Sequence, residues 1–247
     1  MNVVNCIFNS PWLGNQMSTY AFARAYAEQH GAELRTVPWR CQRMFEIDDP
    51  PIVEDLPICA DVELEKWAGQ TNITIQGYAQ NQSCLIYTRR DARRFYQFRP
   101  NIKELLAQIQ VFPVCAHLRH GDYLGVPGFT AIHPDSYRQA AVRFGVNPDE
   151  IHFVSQENPT KVAALDALDL HFLPDWFQLL SAKILFRAPS TFSWWAAVLG
   201  DAERIFAPVV DGIPGSDGTL RHAPFVEGNH PKLNAYHWFC TDLHLSP

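Results

Sequence analysis

The sequence predicts an α/β protein of two Rossmann-like domains facing each other across a cleft. Three observations carry that expectation. Residues 2–30 read as strand, tight turn and helix, the opening of a Rossmann-like unit. After residue 113, short apolar runs alternate with helical stretches, which predicts a parallel sheet covered by helices on both faces. At the head of that alternation stands Val114-Cys115-Ala116-His117-Leu118-Arg119-His120-Gly121-Asp122-Tyr123, an apolar strand running into charges beside a glycine. The division is expected near residues 100–112, giving domains of 1–110 and 111–247.

In the first domain, residues 2–8 form the first expected strand. Pro11-Trp12-Leu13-Gly14 turns the chain into an alanine-rich helix from about Gln16 to His30, which Gly31 ends. Asn15 falls at or near the helix start, as an N-cap or as a ligand contact. Pro38, Pro50, Pro51 and Pro57, with the acidic Asp48, Asp49, Glu54 and Asp55, make 38–61 read as a loop. Asn72–Tyr78 is a second strand ending at Gly77. Arg89, Arg90, Arg93 and Arg94 follow at helical spacing and read as a solvated face. Asn101 with Glu104 forms a capping box for a short helix.

The second domain begins with strand 113–118 and a loop holding Gly125, Pro127 and Gly128. A helix starts at Pro134-Asp135 and runs to Gly145. Strand 151–154 ends at Ser155-Gln156-Glu157-Asn158. A helix over 159–168, a strand over 169–173 and a helix from Pro174-Asp175 are expected next. Strand 184–188 leads to a helix from Ser190, and 204–207 is a last strand. Trp194 and Trp195 sit in an apolar run and read as core. The tail from 209 holds His222, His230, His237 and His244, too far apart for a metal constellation.

The formal charge of −6 argues against broad nucleic-acid binding, which needs a basic excess. The six cysteines show no metal-site or Cys-x-x-Cys spacing, which fits a reduced, cytoplasmic compartment. The N-terminus lacks the basic region and apolar core of a signal peptide, and no run approaches a membrane span. There is no Asp-x-Asp, so the usual carboxylate clamp for a metal-bound diphosphate is missing.

Three strand ends in the second domain carry the candidate chemistry, because ligands of open α/β sheets sit at the carboxyl ends of strands. Arg119 offers a permanent cation whose fork can hold a phosphate, and Asp122 can fix that arginine or the turn. Ser155 and Glu157 follow the next strand, and Glu157 could accept two parallel donors such as a guanine edge or serve as a first-turn helix glutamate. Ser190 and Thr191 mark a helix N-terminus, where free N–H groups bind phosphate. An arginine and a helix N-terminus without a metal clamp suit a leaving nucleoside diphosphate.

These residues also carry a resemblance. Leu13-Gly14-Asn15-Gln16-Met17, Gln76-Gly77-Tyr78-Ala79-Gln80, His117-Leu118-Arg119-His120-Gly121-Asp122-Tyr123, and Asp175, Lys183 and Ser190-Thr191-Phe192-Ser193-Trp194-Trp195 resemble, in order, four motifs of the bacterial and viral α-1,2-fucosyltransferases of the GDP-fucose-using GT-B superfamily. The resemblance implies an inverting, metal-independent transferase of fucose to a glycan hydroxyl, the galactose 2-OH, with an acceptor-side first domain and a donor-side second one. It implies GDP-fucose as donor substrate and no cofactor. Arg119 would hold the β-phosphate, His117 and Glu157 the guanosine, and Ser190, Thr191 and Phe192 the diphosphate and base. It places Asn15 at the reaction centre.

The chain departs from the family pattern at Pro11-Trp12, His120, Gln156-Glu157 and Pro189. A different GDP-sugar donor is therefore one alternative reading. A non-catalytic sugar-nucleotide or glycan-binding protein is another, opposed by the presence of both Arg119 and Asn15. A metal hydrolase using His117 and Asp122 lacks the carboxylate clusters it would need.

Overall fold

The computed structural model describes residues 2–60, 69–80, 82–126 and 128–228. His230, His237, His244, Cys240 and Pro127 lie outside them. The described chain forms two α/β units, the first running to Ile102 and the second starting at Lys103.

The first unit is a four-stranded parallel sheet in the order β2-β1-β4-β3, from β1 (Val3–Phe8), β2 (Glu33–Thr36), β3 (Ile58–Ala60) and β4 (Ile73–Gly77). β1 lies between β2 and β4, with Val4 opposite Leu34 and Ile73. The helix α1 (Leu13–Gln29) packs on it through Met17, Tyr20, Ala21 and other buried residues. Alanine at four alternate positions from Ala21 to Ala27 favours the helix and lets it lie close to the strands. Gly31 ends it at φ +59°.

Several expectations for this unit need correction. α1 starts at Leu13 rather than Gln16, and its N-cap is Trp12, not Asn15. The stretch 38–61 is not wholly loop, because β3 pairs in parallel with β4. The arginine cluster forms the helix α2 (Arg89–Phe95), capped by Thr88 with Asp91. Arg94 pairs with Glu28 and Asp91 while staying half-exposed, as a solvated face should. The helix α3 (Pro100–Leu106) places Asn101 inside its first turn, because proline takes the first helical position.

The second unit is a five-stranded sheet in the order β6-β5-β7-β8-β9. Its strands are β5 (Val114–Leu118), β6 (His152–Ser155), β7 (Ile184–Phe186), β8 (Arg204–Pro208) and β9 (Phe225–Glu227). The first four run parallel and β9 is antiparallel on β8, an edge strand the sequence did not predict. On one face the helix α4 (Pro134–Arg143) packs Tyr137, Ala140 and Ala141 against Val114, Ala116, Phe186, Phe206 and Phe225.

The expected helix over 159–168 shrinks to α5 (Ala163–Asp166), and the expected strand over 169–173 is absent. Asp169 takes a left-handed φ of +57°. Its N–H donates to Asp166 O, and the Leu170 N–H reaches back to Leu165 O at 2.9 Å, closing the helix in a Schellman-like turn. Leu173 then opens the helix α6 (Leu173–Ser181) with Pro174 in its first turn. α7 (Thr191–Leu199) follows β7, with Trp194 and Trp195 buried in it. At its end Gly200 lies so close to α6 that a Cβ would meet Leu180 O at 2.3 Å.

Five cysteines, Cys6, Cys41, Cys59, Cys84 and Cys115, are buried. Among the described residues no helix is long and apolar enough to cross a membrane.

Candidate functional site

β5 ends where its sequence turns polar. The Tyr137 hydroxyl donates to His117 O at 2.8 Å and fixes the strand end. Gly121, at φ +43°, then turns the chain into a short 3-10 turn, Gly121–Leu124, a conformation that suits a residue without a Cβ. This turn brings Asp122 back to Arg119. Arg119 Nη2 lies 2.7 Å from Asp122 Oδ1 and 2.9 Å from Oδ2, and Nη1 donates to Gln156 Oε1 at 2.6 Å. Its Cζ stands 4.8 Å over the Tyr123 ring, and the Tyr123 hydroxyl donates to Pro189 O at 3.2 Å. The Arg119 side chain is only 13% exposed. One loop and two strand ends thus fix the plane of this guanidinium.

His117 lies behind it, 6% exposed, with its ring 5.3 Å from that of Phe192. Burial, and then the positive charges of Arg119, His120 and Arg187, push its pKa down to about 3. The imidazole is therefore neutral at pH 7, and its Nδ1 has no hydrogen-bond partner. His120, next in the motif, places Nε2 2.9 Å from Ile132 O, which the protonated nitrogen suits as a donor.

The second strand end is that of β6. The Glu157 carboxyl is held below its usual range: desolvation works to raise it, but hydrogen bonds from its own N–H, from Ser155 and from the Gly121 N–H outweigh that. Ser155, Glu157 and Gly121 therefore meet. No helix begins at Glu157, so the first-turn alternative falls; residues 155–158 form a turn and α5 starts at Ala163. The third strand end is that of β7. Ser190 is the N-cap of α7, its Oγ accepting from the Phe192 N–H at 3.3 Å. Thr191 and Phe192 are half-buried in the first turn, and Phe192 O accepts from Trp176 Nε1 at 2.9 Å.

In the first unit, Asn15 sits in the first turn of α1 with its amide engaged at both ends. Its Nδ2 donates to Ser10 Oγ at 2.9 Å and its Oδ1 accepts from Gln80 Nε2 at 2.9 Å. Ala79 holds φ +48°, a costly conformation for a residue with a Cβ, and this backbone precedes Gln80. Thr19 Oγ1 donates to Gly77 O at 2.9 Å and ties α1 to the end of β4. The Gly-Asn-Gln and Gly-Tyr-Ala-Gln segments, sixty residues apart in the chain, are thus one polar cluster.

Sequence reasoning missed the partners of Arg119 and Asn15, and it missed the buried Arg187. Gln156 was read only as a departure from a motif, yet it holds Arg119. Gln80 and Ser10 were not singled out as partners of Asn15. Arg187 went unremarked, although a charged residue in the apolar run Ile184–Ala188 is itself a signal. No group of three or more histidine, cysteine or carboxylate side chains among the described residues can hold a metal ion.

Each of the two units is an α/β layer built on a largely parallel sheet, and in the second the candidate residues gather at the carboxyl ends of β5, β6 and β7. No family profile matches the chain, and no curated protein does. Solved structures are similar in fold. An α-1,6-fucosyltransferase NodZ soaked with GDP-fucose is 14% identical, with 92% of this chain and 99% of that one covered and a TM-score of 0.57. The fucosyltransferase NodZ from Bradyrhizobium is 13% identical at a TM-score of 0.59, covering 92% and 98%. An arginine-to-lysine mutant of Arabidopsis thaliana FUT1 in complex with GDP is 11% identical at 0.55, covering 91% and 76%.

Proposed function

We propose that this protein is an inverting fucosyltransferase that moves L-fucose from GDP-fucose to a glycan hydroxyl, the 2-OH of galactose. The observation that carries the reading is Arg119, a nearly buried guanidinium at the end of β5, in one unit with the N-terminus of α7. The soak of one structural neighbour with GDP-fucose and the complex of another with GDP support the donor class. The four motifs support the acceptor, while the neighbour NodZ is an α-1,6 enzyme.

In this reading the acceptor oxygen attacks the anomeric carbon from the face opposite GDP. The bond from that carbon to the β-phosphate oxygen breaks, and GDP leaves with the bonding pair. The acceptor hydroxyl proton passes to a base or to water. Charge grows on the β-phosphate as the bond opens, and Arg119 stabilises it most at that point. The phosphate replaces Gln156 or Asp122 on the guanidinium, so little reorientation is needed. Neutral His117 can hydrogen-bond the nucleoside through Nδ1 while adding no charge. Asn15 enters through the resemblance, with an amide already fixed by Ser10 and Gln80.

Calorimetry with GDP-fucose, GDP-mannose, GDP and UDP-sugars tests the donor. GDP release with galactose-terminated glycans, with and without EDTA, tests turnover. The reading expects GDP-fucose to bind best and turnover to survive EDTA. Preference for a UDP-sugar, or turnover restored only by a divalent ion, would overturn it.

A further inference from the structure

We propose that Arg187 is a second phosphate-binding arginine, which joins Arg119 on the diphosphate of a bound sugar nucleotide. The inference rests on the donor class just argued and assigns a residue that none of the four motifs contains.

Its place comes from strand register. β5 and β7 are parallel neighbours with Ala116 opposite Phe186, so His117 and Arg187 follow side by side at the carboxyl ends. The Arg187 N–H donates to Phe206 O at 2.8 Å, which carries the ladder one residue past β7. Alternation then fixes the face. Phe186 packs with Tyr137 and Phe225 on the α4 side. Arg187 therefore turns to the opposite side, where the His117 ring meets Phe192 at the start of α7.

Arg187 is 0% exposed, and Nε, Nη1 and Nη2 all lack a hydrogen-bond partner. An ionised side chain in that state is destabilising, and an apolar one of similar length would not be. The cost is offset if the missing acceptor arrives with a ligand. The ligand is an anion, because the permanent charges that act on neighbouring His117 are the guanidinium groups of Arg119 and Arg187. The helix N-terminus at Ser190 adds donors of the same sign. The two arginines are prepared differently. Arg119 is held in place by Asp122 and Gln156, whereas Arg187 breaks no hydrogen bond when its stem swings toward the strand ends.

The test pairs stability with affinity in the full chain. Arg187→Met should raise the melting temperature of the unliganded protein, since it removes an unpaired buried charge. It should also weaken GDP on the order of 10–100-fold, the loss of one or two charge-assisted hydrogen bonds, and leave guanosine affinity unchanged. Unchanged GDP affinity would overturn the proposal, whichever way the melt moved. If Arg187→Met does not fold, Arg187→Lys decides: several-fold weaker GDP with unchanged guanosine supports it, and unchanged GDP overturns it. Inorganic pyrophosphate separates this inference from the donor reading. A wild type that binds pyrophosphate but not GDP sinks the donor reading alone, and loss of pyrophosphate in Arg187→Met then upholds the arginine. A wild type that binds neither sinks both.

Discussion

Arg119 has Gln156 on one side, Asp122 on the other and the Tyr123 ring beneath it, so its plane is set before any ligand arrives. Removing such a donor costs on the order of 10²–10³ in turnover in related sites. Arg119→Ala should therefore lose about that much GDP release while melting close to wild type, because its ion pair reaches a half-exposed carboxylate and contributes little to stability. Arg119→Lys should recover only a small part, since lysine keeps the charge but not the fork. Activity of Arg119→Ala within a few-fold of wild type would make the arginine structural. His117 gives a different signature. Its folded pKa is about 3 against an unfolded reference near 6.5, so between those values the unfolded state binds more protons. Its contribution to stability is full above pH 6.5 and is lost as the pH falls toward 3. His117→Phe should flatten that acid limb, seen as a smaller gap between urea midpoints at pH 7 and pH 4.

At the level of elements, α6 and α7 meet where Gly200 follows the last turn of α7. A methyl there would meet backbone oxygens at 2.3 Å from Leu180 and 2.7 Å from Ala196, and neither can step aside without moving a helix. Gly200→Ala should destabilise the protein by about 1–3 kcal/mol, measured by denaturant melts, with donor affinity changed far less. Elements were legible where local signals agreed. Strand β5, the Ser190 cap and the Pro134 helix start each combine an apolar run with a capping or turn residue. The expected strand at 169–173 failed because its apolar residues serve two other purposes. Leu170 fills the core from a helix-ending turn, and Leu173 already belongs to the next helix. An apolar run shorter than six residues does not distinguish these cases.

For the whole molecule, parallel α/β architecture was readable from the rhythm of runs and breaks, while the order of strands was not. β3 and β9 are three residues each, and only distant partners, β4 and β8, make them strands. The candidate site divides in the same way. His117, Arg119, Asp122 and Ser190 sit in contiguous motifs that can be read along the chain. Gln156 reaches Arg119, and Arg187 comes beside His117, only through the register of β5 with β6 and β7. Pairing register is a property of the folded sheet, so no local pattern announces such contacts.

The buried cysteines have a kinetic consequence. Only a thiolate reacts with an alkylating reagent, and burial pushes the Cys6 and Cys41 thiols well up and that of Cys115 to about 12. In the folded chain these sulfurs are silent, and each becomes reactive only when the structure around it opens. With Cys240 replaced by serine, labelling followed by peptide mass spectrometry would act as a stopwatch for local opening. Cys6 would report on the sheet that precedes Ile102, and Cys115 on the strand that carries Arg119. A saturating donor should slow the clock at Cys115, because a ligand that binds only the closed form lowers the open fraction. Equal labelling of Cys115 with and without GDP-fucose would place donor binding away from β5.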